Sequence, residues 1–198
     1  MQVFMPYADY KKSVQALDSK RLQKQGLEVS QLLDIIFNIP TKSGKPRKGW
    51  MHHPALIAWK ETPGALVEYL IQNKIELDKR GYKTQYITEK LQEYKKFTTS
   101  LKNPIWLGDE EIHSSHRVRL LQKGFEEKLK NSKKADETIN WYASYNWEEM
   151  KDPEFFTKEY FWPFNITQSE YDKELRVSKD AIKLKQNLIQ TFGANPWA

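Results

Sequence analysis

A chain of 198 residues, 39% hydrophobic and 13% aromatic, has the apolar surface for one domain or two small ones and excludes a disordered polymer. The absence of cysteine excludes disulfides, a catalytic thiol and any thiolate-held metal. The net charge is +6, no run approaches the roughly 18 apolar residues of a membrane span, and the start lacks a signal-peptide layout, so a soluble cytoplasmic protein is expected.

Helical periodicity dominates in chain order. Residues 2–5 read as a short extended arm. Residues 12–37 read as one helix, ended by Asn38-Ile39-Pro40. A basic loop follows over residues 41–49, too polar to pack. Pro54 fits the first turn of a helix, and Pro63 opens the next, with Leu66, Tyr69, Leu70, Asn73 and Leu77 on one face and Gly81 as its stop. A short helix is expected over 85–99, carrying Ile87, Leu91 and Tyr94. Asp109 is placed to cap a helix running to about Lys130. Residues 131–138 read as a surface linker, and Thr167 with Glu170 as a capping box before a last helix that stops near Gly193. The expected fold is mainly α, a compact single-domain helical fold with an aromatic-rich C-terminal extension.

Charge divides the chain. Residues 1–134 carry 25 Lys/Arg against 15 Asp/Glu, and residues 135–198 carry 7 against 11. This predicts a basic helical body over 1–134 that meets a polyanion, with the acidic residues 135–198 packing on it. Ten aromatics fall in 141–164. Most are expected in the core, and a subset is available to stack on an opened nucleic acid strand.

Three constellations stand out. At 100° per residue, Val14, Leu17, Leu32, Leu33 and Ile36 form one apolar stripe, and Asp18, Arg21, Gln25 and Glu28 fall in its middle, with Ser19, Lys20, Gln23, Ser30 and Gln31 on the solvent side. Buried polar groups must be paired, so the row reads either as a polar cleft or as a ladder of Asp18 to Arg21 to Gln25. Second, Gly49-Trp50-Met51-His52-His53-Pro54 sets aromatic and imidazole groups at a helix start, where they contact phosphates or bases, or simply pack and cap. Third, Asp109, His113 and His116 supply metal-ligand types, but their spacing fits no standard zinc pattern. An anion site of Ser115, His116, Arg117 and Arg119 is preferred, and no metal is assigned.

Four motifs, taken together, resemble the pyrimidine-dimer DNA glycosylase family. They are Leu17-Asp18-x-x-Arg21-Leu22-x-Lys24-Gln25-x-x-Glu28, Gly49-Trp50-x-x-His53-Pro54, Lys79-Arg80-Gly81-Tyr82, and Trp106-Leu107-Gly108-Asp109 continuing through His113, Ser115, His116 and Arg117 to Leu120-Leu121-x-Lys123. The similarity covers roughly residues 1–130, continues weakly through Asn140-Trp141-Tyr142-x-x-Tyr145, and is closer to bacterial members than to the phage enzyme. It implies a compact helical, cofactor-free enzyme that cuts the glycosidic bond of a damaged pyrimidine, with a processed N-terminal amine attacking C1′ and a glutamate, here Glu28, completing the site. One departure concerns the chain start: Gln2 is bulky where the phage enzyme exposes a small residue, which predicts that Met1 is retained.

The expected function is a DNA N-glycosylase acting on ultraviolet pyrimidine dimers or on a bulky modified pyrimidine such as glycosylated hydroxymethylcytosine in phage DNA, in repair or in defence. Glu28, Asp18, Asp109 and Met1 are the expected catalytic residues, with the amine or water as attacking group and lyase activity left open. Arg21, Lys24, Gln25, Lys45, Arg47, Lys48, Trp50, His53, His113, His116, Arg117 and Arg119 are the expected contacts to double-stranded DNA with a flipped pyrimidine nucleotide. A monomer is expected. The competing readings are a non-catalytic nucleic-acid-binding module and a metal-dependent nuclease.

Overall fold

A computed structural model describes residues 2–47, 49–97, 101–158 and 179–197. It is mainly helical, as expected, and among the described residues no strand occurs. The α-helices are α1 (Tyr10–Ala16), α2 (Ser19–Ile36), α3 (Pro54–Trp59), α4 (Pro63–Lys79), α5 (Gln85–Tyr94), α6 (Glu110–Leu129), α7 (Ala135–Ala143) and α8 (Lys179–Phe192), with a 3₁₀ turn at Glu148–Lys151. No helix among these residues is long and apolar enough to cross a membrane. The chain divides into two units, the first formed by the described residues up to Asp109 and the second by those from Glu110 onward.

In the first unit α4 packs against α1, α2, α3 and α5. The single helix read over 12–37 is a correction: it is two helices broken at Leu17–Asp18. Leu17 is extended, and the Asp18 carboxylate accepts the N–H groups of Lys20 and Arg21, so a new helix starts there. Arg80 seals the break. Its guanidinium donates to the carbonyls of Leu17 (2.7 Å) and Gln15 (3.0 Å), and Glu76 holds it at 2.7 Å. The Lys79-Arg80-Gly81 motif is thus a tertiary cap for the end of α1, followed by Gly81 at φ +77.

Val14, Leu17, Leu32 and Leu33 are buried as the stripe predicts. Ser30, expected on the solvent side, is buried as well. Its hydroxyl donates to the Gly26 carbonyl and its own carbonyl accepts from Tyr94 of α5, so α2 is covered on two sides. Gly26 permits this closeness, since a Cβ there would stand 2.7 Å from Ile87 and 2.9 Å from Asn73. The helix expected over 85–99 ends at Tyr94.

In the second unit α6 packs on α7, the 3₁₀ turn and α8. The linker read over 131–138 is also corrected: from Ala135 the chain is helical, and Ala135 and Thr138 are buried. A Cβ on Gly124 would lie 3.0 Å from the Ile139 backbone, so glycine there lets α6 and α7 meet. Tyr142, Trp147, Phe155 and Phe156 are buried as core, and Phe125 is ringed by Phe155, Phe156, Phe192 and Trp197. The last helix stops before Gly193 at φ +81. Tyr160, Phe161, Trp162, Phe164 and the Thr167–Glu170 capping box lie outside the described residues.

Candidate active site at the N-terminal arm

The chain from Gln2 to Met5 lies outside any helix or strand, and Val3, Phe4 and Met5 are buried. A buried segment outside helix and strand leaves its backbone groups without a regular partner, so something else must satisfy them. The polar row of α2 does so. The Gln2 N–H donates to Glu28 Oε2 at 3.2 Å, the Phe4 N–H donates to Gln25 Oε1 at 2.8 Å, and Gln25 Nε2 donates to the Gln2 carbonyl. Tyr69 of α4 directs its hydroxyl to the Phe4 carbonyl (2.9 Å) and to Gln25 Oε1 (3.1 Å). Gln25 Nε2 also lies 3.4 Å from Glu28 Oε2, which joins the arm and the carboxylate in one network.

Within the row the roles differ. Asp18 is the cap of α2 and pairs with Arg21 at 3.2 Å, so the first rung of the expected ladder exists. Gln25 turns to the arm. Glu28 has a side chain 12% exposed, open enough to be reached and closed enough for its charge to act at close range. Lys24 is exposed, with its ammonium 3.5 Å from Glu28. Met1 lies outside the described residues.

The basic loop is partly tied down. Arg47, expected to attract phosphates, instead donates to the Ile39 carbonyl (3.1 Å) and pairs with Asp34 at 2.7 Å. Asp34 is buried at the far end of α2 and also meets Lys90 and the Tyr94 hydroxyl, each at 2.8 Å. Lys45 is exposed, and Lys48 lies outside the described residues. Beyond the loop, Trp50 is exposed at φ +67, a left-handed conformation that a bulky side chain adopts at a cost. Its ring stands edge-on to His53 at 4.9 Å. His53 caps α3, its Nδ1 accepting the Ala55 N–H, and burial pushes its pKa down to about 4, so the imidazole is neutral at physiological pH.

The third constellation is placed differently. Asp109 is exposed just before α6, but His113, Ser115 and His116 are buried in the second unit. Ser115 donates to the Ile112 carbonyl. Arg117 is buried between Glu149, at 2.7 Å, and Glu110, and Arg119 pairs with Glu126. Burial alone would raise Glu149, yet the Arg117 guanidinium holds its carboxyl below the usual range. Where an anion site of Ser115, His116, Arg117 and Arg119 is expected, both arginines face carboxylates. Among the described residues no three His, Asp or Glu side chains are gathered to hold a metal ion.

The arm on α2 is built from the segments that carry the first motif. Residues 1–90 match the family model of pyrimidine dimer DNA glycosylase. No curated protein and no solved structure matches the chain. The matched segment contains the arm, the whole polar row, the basic loop and the Trp50–His53 turn. The sequence missed Tyr69 and Asp34. By periodicity Tyr69 falls on the core face, and the signal for its role is that a buried tyrosine needs a partner for its hydroxyl.

Proposed function

We propose that the protein is a DNA N-glycosylase that removes a damaged or modified pyrimidine, with Glu28 as the carboxylate at the reacting sugar. The observation that carries this reading is the hydrogen bond from the Gln2 N–H to Glu28, which ties the first residues of the chain to a little-exposed carboxylate. Breaking the bond between C1′ and the base develops positive charge on the sugar, and a nearby carboxylate stabilises it. The attacking group is the chain's amino group or a water. It gives its electron pair to C1′ and its proton to Glu28, and the pair of the broken bond leaves with the base, which is then protonated. An amine route passes through a Schiff base with the opened sugar, whereas a water route leaves an intact abasic site. The bulky Gln2 favours water.

Exposed Lys24 and Lys45 supply charge for the phosphates, and the Trp50 ring offers a stacking face near a neutral His53 for an extruded nucleotide. Both an ultraviolet dimer and a bulky modified cytosine meet this chemistry, the first placing the protein in repair and the second in defence against phage. The test is incubation of the full chain, in excess chelator, with duplexes that each carry one lesion or modification, the released base being identified by mass spectrometry. Release from one substrate class, lost in Glu28→Gln with binding retained, is the expected result. Release that Glu28→Gln leaves unchanged overturns the proposal. Borohydride trapping of a covalent adduct at Met1 selects the amine route.

A further inference from the structure

The two most exposed large hydrophobic side chains described are Ile105, at 72%, and Leu101, at 65%, and both lie in one loop between α5 and α6. Residues 103–106 are held in place. Between Leu101 and Ile105, Asn103 accepts a 3.0 Å hydrogen bond from the Tyr10 hydroxyl, Pro104 is buried, and directly after them Trp106 is buried with its Nε1–H donating to the Ala58 carbonyl at 3.1 Å. Trp106 also stands perpendicular to Trp59 at 5.0 Å. Anchored positions thus lie next to projecting ones, and two of the projecting side chains are aliphatic.

The anchors belong to the same group that holds the N-terminal arm. Tyr10 packs edge-on to Tyr69 at 6.4 Å, Trp59 lies 6.2 Å from Tyr69, and Tyr69 bonds Phe4 and Gln25. Burial and the charge of Glu68 push the Tyr10 hydroxyl up to about 12, so it keeps the proton it gives to Asn103. A rigid chain of contacts therefore runs from Glu28 through Gln25, Tyr69 and Tyr10 to the loop. The surroundings are cationic: residues 95–105 contain Lys95, Lys96 and Lys102 and no acidic residue, and all three lysines are exposed.

We propose that Leu101 and Ile105 form a wedge that enters duplex DNA between neighbouring bases and unstacks it, while the adjoining lysines meet the phosphates. Aliphatic side chains on a basic, preorganised surface are the means by which proteins pry base steps apart and bend the duplex. Extrusion of a nucleotide costs unstacking energy, and a wedge fixed to the same framework as Glu28 offsets it where the base must leave the helix. This inference rests on the glycosylase reading above, and it assigns to residues beyond the 1–90 family match a task in the same reaction.

The experiment uses the full chain and an uncleavable duplex carrying a tetrahydrofuran abasic analogue, with 2-aminopurine in the adjacent step. Anisotropy reports binding, and 2-aminopurine brightening reports unstacking. With the parent protein, binding and brightening of about twofold or more are expected. The paired change Leu101→Ser and Ile105→Ser removes the brightening at saturation while changing the melting temperature little, since both side chains are exposed. The pair Leu101→Met and Ile105→Met retains it. Equal brightening by the serine pair and the parent overturns the wedge, as does binding by the parent without brightening. If the serine pair loses binding as well, the wedge stands only where the methionine pair restores both signals, and falls otherwise. A parent that neither binds nor brightens overturns the glycosylase reading itself, an outcome distinct from the others.

Discussion

The inner faces of α2 and α6 both carry charged and polar side chains where apolar ones would be expected, and they satisfy them in opposite ways. On α2, Gln25 and Glu28 are met by the backbone of the arm and Gln25 also by a tyrosine hydroxyl, and an exposed lysine lies 3.5 Å from Glu28. On α6, Arg117 and Arg119 are met by carboxylates of their own unit, so charge cancels charge. A closed buried ion pair spends its field on folding, and removing one partner leaves the other charge stranded. The same kind of sequence pattern is thus met by backbone groups of the arm in one helix and by opposite charges in the other.

The largest effect that tests this contrast is expected at Glu28. Glu28→Gln keeps a side chain able to accept the Gln2 N–H and removes the charge, so base release should fall by about 10²–10⁴-fold with the melting temperature nearly unchanged. A large loss of stability would instead make Glu28 scaffolding like α6. The reverse is expected at Arg117. Arg117→Ala leaves Glu149 buried without its cation and should cost about 3–5 kcal/mol in urea unfolding, while base release per folded molecule stays at the parent value. Replacing both partners, Arg117→Met with Glu149→Leu, should recover most of the stability. Because the Glu149 carboxyl is held below its ordinary value, its contribution is present above about pH 4.5 and lost as the pH falls beneath it.

A smaller effect separates the two faces by pH. His53 is held neutral down to about pH 4, whereas in the unfolded chain it protonates near 6.5. The unfolded state thus binds more protons between these values, and stability should decline as the pH drops from 6.5 to about 4. His53→Asn, which retains a capping group for α3, should flatten that decline in melting temperatures recorded from pH 7.5 to 4. The smallest effect is expected in the basic loop. Lys45→Ala should reduce the slope of log affinity against log salt by about 0.9, the share of one phosphate contact. Arg47→Met should act through stability instead, because Arg47 is engaged by Asp34.

Periodicity, turn residues and composition were enough for the helical class, the starts of α3 and α4 at their prolines, the stops at Gly81 and Gly193, and the polar row of α2. These features are local: a proline, a glycine at positive φ or an apolar repeat acts through residues a turn or two away. The break at Asp18 was less legible, since a capping aspartate inside a continuous helical pattern reads as one more polar residue until the carbonyls it frees find Arg80, 63 positions along the chain. The linker reading of 131–138 failed for a similar reason. Its polar composition is that of a loop, and only the approach of Gly124 to Ile139 shows that the helix beginning at Ala135 is packed.

The sequence by itself determined that the chain is mainly helical, that Glu28 lies on the core side of α2, and that the chain resembles a DNA glycosylase, because these follow from nearest neighbours and short motifs. Only the tertiary structure decided which charges remain available. Whether an arginine meets a carboxylate, as Arg47 and Arg117 do, or a glutamate meets a backbone N–H, as Glu28 does, depends on partners tens of residues away, and no local rule pairs them. The projection of Leu101 and Ile105 has the same origin, since side chains become a surface feature only when Tyr10 and Ala58 anchor the residues around them.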